Sequence, residues 1–205
     1  MHVERATVVE SRRLGDAYVL LRLRVPRPHA ARPGQFAMLR GDWGTEPLLG
    51  RPMSYLSGGE EPEFLLKIVG AGTARLAGAR IGDRMDVVGP LGNAFAPASP
   101  GRKQILVAGG VGIVPLFFHV ARGQAQGASF LYGGRTAGDL PLAEPLAALG
   151  DLRLATEDGS RGTKGLVTEL LAGALDAQTD VLTCGPTPMM RAVAERSAQA
   201  GARCF

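Results

Sequence analysis

The stretch Ile105-Leu-Val-Ala-Gly-Gly-Val-Gly-Ile-Val-Pro-Leu116 joins an apolar strand-like run to three glycines and then to a helical run. This order is typical of an α/β domain, because the glycines let the backbone approach a phosphate and the helix N-terminus presents free N–H groups to it. The Gly-Gly-Val-Gly spacing differs from the G-x-G-x-x-G of dinucleotide-binding turns. A tight turn without a ligand is therefore the alternative interpretation of this stretch.

The rest of the second half repeats the alternation of strand and helix. Strands are predicted at residues 104–108, 129–132, 152–156 and 181–184, and helices at 114–122, 141–149, 166–171 and 188–199. Such a sequence predicts a parallel sheet with helices on both faces. Ligands of these sheets bind beyond the carboxyl ends of the strands, where this chain has glycines and polar residues.

The first half has a period of two instead. In the run from Tyr18 to Val25, Val19, Leu21, Leu23 and Val25 share one face and arginines occupy the other. Similar short runs at 35–40, 53–57, 63–69 and 84–88, with one helix near 73–79, predict a small antiparallel β-barrel. We place the linker in the Pro-rich stretch 96–101, so the predicted domains are 1–98 (barrel) and 99–205 (α/β).

Composition excludes several classes of protein. The chain has 205 residues, of which 45% are hydrophobic, and its formal net charge of +4 comes from scattered arginines, so neither a disordered chain nor a nucleic-acid-binding surface is indicated. Cys184 and Cys204 are too few for a disulfide framework or a four-cysteine cluster, and the three histidines lack metal-ligand spacing. With no signal peptide and no apolar run long enough to span a membrane, the default expectation is a cytoplasmic protein without metal.

Three further motifs each have a structural and a functional interpretation. Arg51-Pro-Met-Ser54 opens a strand, where its arginine either is solvated or holds a phosphate. Gly70-Ala-Gly-Thr73 opens a short helix in an anion-binding geometry. Thr183-Cys-Gly-Pro-Thr-Pro-Met-Met190 ends a strand and begins a helix, and Cys184 there is either a small buried hydrophobe or a functional group.

Taken together, the motifs are more specific than any one of them. In order and spacing the chain resembles the ferredoxin–NAD(P) reductase superfamily, and within it most closely the family of dihydroorotate dehydrogenase B (NAD+) electron-transfer subunits. The stretches that carry the resemblance span almost the whole chain: Pro33–Met38, Arg51–Ser54, Gly72–Thr73, Val88–Phe95, Ala108–Leu116, Leu131–Arg135, Glu157–Ser160 and Cys184–Met190.

The resemblance implies particular roles in binding FAD and NAD. In the first domain Arg51, Gly72 and Thr73 would bind the FAD pyrophosphate, and Ser54 would lie near the reactive nitrogen of the flavin. The other implied FAD contacts are Pro52, Met53, Leu65, Leu66 and Lys67. In the second domain Cys184 would place the nicotinamide against the flavin, and the other implied NAD contacts are Gly109, Gly110, Gly112, Ile113, Gly185, Pro186 and Met189. Ser54 and Cys184 are the predicted catalytic residues.

The choice between NADH and NADPH is a matter of charge. Members of the superfamily that use NADP usually carry a Ser-Arg pair after the third strand of this domain, where this chain has Glu157 and Asp158. Acidic residues at this position accept hydrogen bonds from a free ribose and repel a 2′-phosphate. Arg135 and Arg161 are near in sequence and weaken the argument, but NADH is the prediction.

The implied function is that of a flavoprotein oxidoreductase subunit. It would move electrons between NAD(H) and a catalytic dihydroorotate dehydrogenase subunit in a hetero-oligomer of pyrimidine biosynthesis. The alternatives are a free-standing NADH-dependent flavin or ferric reductase, another reductase subunit such as a sulfhydrogenase subunit, and a non-catalytic nucleotide-binding module. Relatives continue into a Cys-rich segment that holds a [2Fe–2S] cluster, which this chain would have only if it continued past Phe205.

Overall fold

The computed structural model describes residues 2–44, 48–97, 99–125 and 127–205. The chain forms two compact units, Met1–Ala94 and Phe95–Phe205, which we call the barrel unit and the sheet unit. Ala98, the last residue of the first domain predicted from the sequence, lies outside the described residues.

The barrel unit is a closed antiparallel barrel with the strand order β1-β2-β5-β4-β3-β6. Its strands are β1 (His2–Leu14), β2 (Tyr18–Arg24), β3 (Phe36–Gly41), β4 (Arg51–Ser57), β5 (Glu63–Lys67) and β6 (Arg84–Leu91). The predicted alternation is present in the second half of β2, where Leu21 and Leu23 are fully buried and Arg22 and Arg24 are not, whereas Tyr18, Val19 and Leu20 in the first half are all buried. On the outer face Arg22 forms ion pairs with Glu10 and Glu63 of the two neighbouring strands, which also fixes the register of the barrel.

Helix α1 (Ala71–Ala77) connects β5 to β6 and packs against β2, β3 and β5. Because β3 lies across the barrel from β2 and β5, the helix covers one end of it. Leu76 is fully buried and anchors the helix, whereas Ala74 and Arg75 are exposed. At this end of the barrel, the first turn of α1 lies close to the start of β4.

A chain of polar side chains runs through the interior of the barrel unit. The Tyr55 hydroxyl lies 2.7 Å from His29 Nδ1, and His29 Nε2 lies 3.4 Å from Glu4 Oε2. Glu4 also accepts a hydrogen bond of 2.9 Å from Arg27, so the buried carboxylate has a cationic partner at the surface. Burial and the charge of Glu4 raise the pKa of Tyr55, which therefore stays a neutral phenol.

The sheet unit has one six-stranded parallel sheet in the order β10-β9-β8-β7-β11-β12. The strands are β7 (Lys103–Gly109), β8 (Ser129–Gly134), β9 (Asp151–Thr156), β10 (Thr163–Lys164), β11 (Thr179–Cys184) and β12 (Arg203–Cys204). The helices are α2 (Ile113–Ala121), α3 (Ala143–Ala147) and α4 (Thr187–Gln199). Short 3₁₀ turns occupy Gly110–Gly112, Ala137–Asp139 and Val167–Leu171.

The strand order reverses beside β7. The chain builds outward from β7 through β8 to β9 and β10, and then returns to place β11 on the other side of β7. Because parallel crossovers are right-handed, this reversal puts helices on both faces of the sheet. One face is covered by the 3₁₀ turn and α4, whose Val167, Leu171 and Val193 pack on Ile105 and Val181. The crevice at such a reversal, beyond the carboxyl ends of β7 and β11, is where ligands of open α/β sheets bind.

The fold class predicted from the sequence is confirmed: an antiparallel barrel is followed by a parallel sheet with helices. The sequence analysis missed β1 and the two-residue edge strands β10 and β12. The helix predicted at 166–171 is a 3₁₀ turn, Val167–Leu171, preceded by Gly165 at φ 137°, a conformation that favours glycine and interrupts a helix. Within the described ranges, no helix has the length and apolar character that crossing a membrane requires.

Candidate functional site

In the barrel unit, the structure brings Arg51 and Gly72 into contact. A Cβ atom on Gly72 would lie 2.0 Å from Arg51 Nε, so only glycine leaves room for the guanidinium at the first turn of α1. Arg51 Nη1 donates hydrogen bonds to the carbonyl oxygens of Leu49 (3.0 Å) and Gly50 (3.3 Å), and these bonds hold the side chain in position. The Nε and Nη2 atoms of the guanidinium lie beside Gly72, at the start of the helix. The first backbone N–H groups of an α-helix have no hydrogen-bond partner within that helix.

The hydroxyl of Thr73 is already used within this turn. It donates to the Gly70 carbonyl (3.0 Å) and accepts from the backbone N–H groups of Val69 (2.9 Å) and Gly70 (3.1 Å). This side chain orders the loop that leads into α1. Any hydrogen bond from Thr73 to a phosphate would then be donated by its backbone N–H and not by its hydroxyl.

The other residues assigned to FAD differ in how open they are. Pro52 is exposed, and Met53 and Ser54 are half-buried on β4. Leu65 and Leu66 are buried in the barrel core, so β5 can offer a ligand little more than its backbone at these positions. Lys67 is half-buried, with its Nζ 5.4 Å from the centroid of the Tyr18 ring.

In the sheet unit, the residues assigned to NAD converge at the strand-order reversal. A Cβ on Gly109 would lie 2.7 Å from both Met189 Sδ and Pro186 Cδ, and one on Gly185 would lie 2.7 Å from Met189 Cε. The first turn of α4 therefore packs directly on the bare backbone at the ends of β7 and β11. The structure brings these four residues together at one end of the sheet.

Gly112 and Cys184 meet in the same crevice. A Cβ on Gly112 would lie 2.2 Å from the Cys184 carbonyl oxygen, so this glycine serves the close packing of two backbone segments. Gly110 has φ 53° at the start of the turn, and Ile113 is buried at the start of α2. Burial raises the pKa of the half-buried Cys184, so its side chain is a neutral thiol and not a nucleophilic thiolate.

The loop after β9 carries the predicted specificity residues. Asp158 accepts hydrogen bonds from the backbone N–H (2.9 Å) and the hydroxyl (2.6 Å) of Ser160, and these bonds lower its pKa. Backbone bonds from Glu157 to Gly134 and from Asp158 to Arg135 tie the loop to the end of β8. Glu157 is exposed and forms no ion pair among the described residues, so it is the carboxylate free to meet a ligand.

The sequence analysis missed the partners of the two arginines near this loop. Arg161 Nη2 lies 2.5 Å from Glu144 Oε1 of α3, and Arg135 Nε lies 3.8 Å from Asp139 Oδ2. The second pair has i,i+4 spacing, a signal that the sequence does contain. The first joins residues 17 apart in different elements, and no local pattern reveals it.

Comparison with known proteins identifies the domain type and the relatives of this chain. Residues 106–195 match the model of the oxidoreductase NAD-binding domain. The chain is 38% identical over 202 residues to the dihydroorotate dehydrogenase B (NAD(+)) electron transfer subunit of Shouchella clausii, covering 94% of this chain and 77% of that protein. The subunit of the same name from Bacillus caldolyticus is 37% identical over 204 residues, covering 94% and 78%.

The chain belongs to the family of dihydroorotate dehydrogenase B electron transfer subunits. Solved structures support the fold of this family member at lower identity. The ferredoxin reductase of carbazole 1,9a-dioxygenase matches with a TM-score of 0.85 at 22% identity, covering 99% of this chain and 68% of that one. The cytochrome b5 reductase domain of Ulva prolifera nitrate reductase matches with a TM-score of 0.83 at 18% identity, covering 100% and 97%.

Proposed function

We propose that this protein moves electrons between NAD(H) and a catalytic dehydrogenase subunit, with FAD held by the barrel unit and the dinucleotide held by the sheet unit. The proposal assigns it to a hetero-oligomer of pyrimidine biosynthesis in the cytoplasm. The names of its relatives, at 37–38% identity over almost the whole chain, support the cofactor NAD and the role in electron transfer. The residue roles rest on the geometry of each unit.

The observation that carries the proposal is the contact between Arg51 and the bare backbone of Gly72. A fixed cation beside unpaired backbone N–H donors suits a diphosphate. Arg51 would supply the cation, and the first turn of α1 would supply the N–H donors. The barrel unit therefore fits the pyrophosphate of FAD through Arg51, Gly72 and the backbone of Thr73. Pro52, Met53 and the hydroxyl of Ser54 would line the flavin, and the β5 residues Leu65, Leu66 and Lys67 would border its ribityl and adenosine parts.

Bound FAD would supply the hydride and single-electron chemistry, so the protein has to bind and align rather than to provide an acid or a base. Ser54 would help to align the flavin by donating a hydrogen bond from its hydroxyl to the flavin ring. In the sheet unit Gly109, Gly110, Gly112 and Ile113 would border the dinucleotide with the backbone of the turn between β7 and α2, since Gly109 and Gly112 let neighbouring segments pack closely there and Ile113 is buried. Cys184, Gly185, Pro186 and Met189 would hold the nicotinamide, while Glu157 and Asp158 lie beyond the end of β9 for the ribose.

The distance across the sheet agrees with an extended dinucleotide. The ends of β11 and β9 are separated by three strand spacings, which is about 14 Å. A nicotinamide at Cys184 and an adenosine ribose at Glu157 would therefore lie at opposite ends of one bound molecule. Since Glu157 is a free carboxylate, it favours the ribose of NADH over the 2′-phosphate of NADPH.

Replacing Cys184 tests the alignment. We expect Cys184→Ala to slow reduction of the bound flavin by NADH about tenfold, which corresponds to about 1.4 kcal/mol of lost transition-state stabilisation, while FAD content stays the same. Anaerobic stopped-flow absorbance measures this rate. Cys204→Ala, at the other free and half-buried cysteine, is the matched control. A wild-type rate in the Cys184 variant would show that the thiol has no part in alignment.

The partner is tested by reconstitution. The catalytic dihydroorotate dehydrogenase subunit of the same source, mixed with this chain, should reduce NAD+ with dihydroorotate as the electron donor, and neither protein alone should do so. Size-exclusion chromatography of the mixture should show the two chains eluting together. Fast reduction of ferric iron or free flavin by NADH, unchanged by the catalytic subunit, would instead favour a free-standing reductase.

A further inference from the structure

The loop after β9 is flanked by two arginines that could bind an additional phosphate, yet each already faces a carboxylate. Arg161 pairs with Glu144 at 2.5 Å, and Arg135 lies 3.8 Å from Asp139. Both carboxylates come from the segment between β8 and β9, Asp139 from the 3₁₀ turn and Glu144 from the first turn of α3. The sheet unit thus supplies its own counter-charges at the place where the proposed function expects the adenosine ribose.

Arg161 is the better placed of the two cations. Its backbone is fixed to the end of β9, because its N–H donates to Thr156 Oγ1 (3.0 Å) and its carbonyl accepts from the same hydroxyl (2.9 Å). Thr156 is fully buried, so this attachment is rigid. The side chain of Arg161 is only 33% exposed, whereas the carboxylate of Glu144 is 80% exposed and approaches it from outside.

The loop that carries Arg161 is itself held in place. Ser160 Oγ accepts a hydrogen bond from the backbone N–H of Ala137 (2.8 Å) and donates to Asp158. The segment from Glu157 to Arg161 is therefore tied to the 3₁₀ turn as well as to the end of β8. The backbone of Arg161 is therefore fixed, and in this structure its guanidinium pairs with Glu144.

We propose that Glu144 helps to determine which nucleotide is bound. It does so by forming an ion pair with Arg161, which keeps that cation from a ligand phosphate. This inference rests on the proposed function and adds a second component to it. A ribose 2′-phosphate would have to displace Glu144 from Arg161 and would also face the free carboxylate of Glu157. A free 2′-hydroxyl carries no charge and needs neither arginine. The ion pair between Arg161 and Glu144 therefore weakens binding of NADPH and leaves binding of NADH unchanged.

Binding of adenosine nucleotides tests the proposal without a flavin. We expect Glu144→Gln to tighten binding of 2′,5′-ADP about two- to fivefold in isothermal titration calorimetry, a change in the range expected from releasing an exposed ion pair. Binding of 5′-AMP should stay the same. The double variant Glu144→Gln/Arg161→Gln should lose the gain, because the released cation is no longer present.

A matched control separates this effect from a change in net charge. Glu61→Gln breaks an ion pair of 2.7 Å with Arg24 in the barrel unit and changes the net charge equally, so it should leave both affinities unaltered. An unchanged ratio of the two affinities in Glu144→Gln, or a gain that survives loss of Arg161, would overturn the role of Glu144. Failure of NADH to reduce the flavin of the wild-type protein would instead overturn the proposed function, and the calorimetric ratio does not depend on that reaction.

Discussion

At the scale of single residues, two glycines that look alike in the sequence have different roles. Gly72 leaves space for the guanidinium of Arg51, at the place where we propose that the FAD pyrophosphate binds. Gly112 leaves space for the carbonyl of Cys184 and so allows two backbone segments to pack. Substitutions at the first site should therefore affect ligand binding, and substitutions at the second should affect stability.

Removing the side chain of Arg51 should weaken FAD binding. We expect Arg51→Ala to raise the dissociation constant about 10- to 100-fold, since a hydrogen bond to a charged group contributes about 1.5–3 kcal/mol. Arg51→Lys should recover part of the loss, because it restores the charge but not the fork geometry. Quenching of FAD fluorescence during titration of apoprotein measures both.

The control for this prediction is Arg24→Ala. Arg24 is an exposed arginine on the outside of the barrel and pairs with Glu61. Its loss changes the net charge by the same amount and should leave FAD affinity within about twofold of the wild type, because screened surface charges interact weakly at a distance. Equal losses in the two variants would mean that Arg51 acts only through overall charge.

Adding one methyl group at Gly112 should destabilise the sheet unit. We expect Gly112→Ala to lower the free energy of unfolding by about 2–3 kcal/mol, because the new Cβ would overlap a backbone carbonyl that cannot move aside. Chemical denaturation followed by circular dichroism measures the change. Gly78→Ala is the matched control, since Gly78 has similar α-helical dihedrals and its Cβ would meet atoms no closer than 3.5 Å. A midpoint unchanged from wild type in Gly112→Ala would contradict the packing described here.

At the scale of elements, helix α2 carries a fully buried histidine in its last turn. His119 lies edge-on to Phe95, with ring centroids 5.9 Å apart. Burial lowers the pKa of His119 from its ordinary value of 6.5, an effect that the neighbouring Gln124 only partly offsets. The ring is therefore neutral in the folded protein at neutral pH.

This histidine predicts a loss of stability in mild acid. Below pH 6.5 the unfolded chain binds a proton at His119 before the folded chain does, so the free energy of unfolding falls as the pH drops through this range. Denaturation curves recorded between pH 7.5 and pH 5 should show that the free energy of unfolding falls more steeply for the wild type than for His119→Leu. Parallel curves for the two proteins would mean that His119 titrates alike in both states.

The elements also show how far the sequence alone could predict this protein. The alternation of Val19, Leu21 and Leu23 revealed β2, and the glycines after Ala108 revealed the turn into α2, because both signals are local. Strand β1 was missed since much of its run is polar and half of it pairs with β6, which is distant in the sequence. The pairing of Arg161 with Glu144 was missed for the same reason: the contact exists only once α3 and the loop after β9 are folded.

At the scale of the whole molecule, the predicted site residues divide between two units with separate tasks. Each unit is compact by itself and holds its own set of the residues proposed to bind a cofactor, around Arg51 and Gly72 in one and around Gly109 and Cys184 in the other. The family relationship covers both units, because the matches to relatives extend over 94% of the chain. Electron transfer between NADH and FAD is the function that uses both sets.

Electron transfer from NADH to FAD can be followed in the visible absorption spectrum of the purified protein under anaerobic conditions. After FAD is added and the excess is removed, the spectrum should show flavin bands, and one equivalent of NADH should bleach them while the same amount of NADPH bleaches them far more slowly. A protein that stays colourless after FAD is added, or flavin bands that NADH leaves unchanged, would contradict the account.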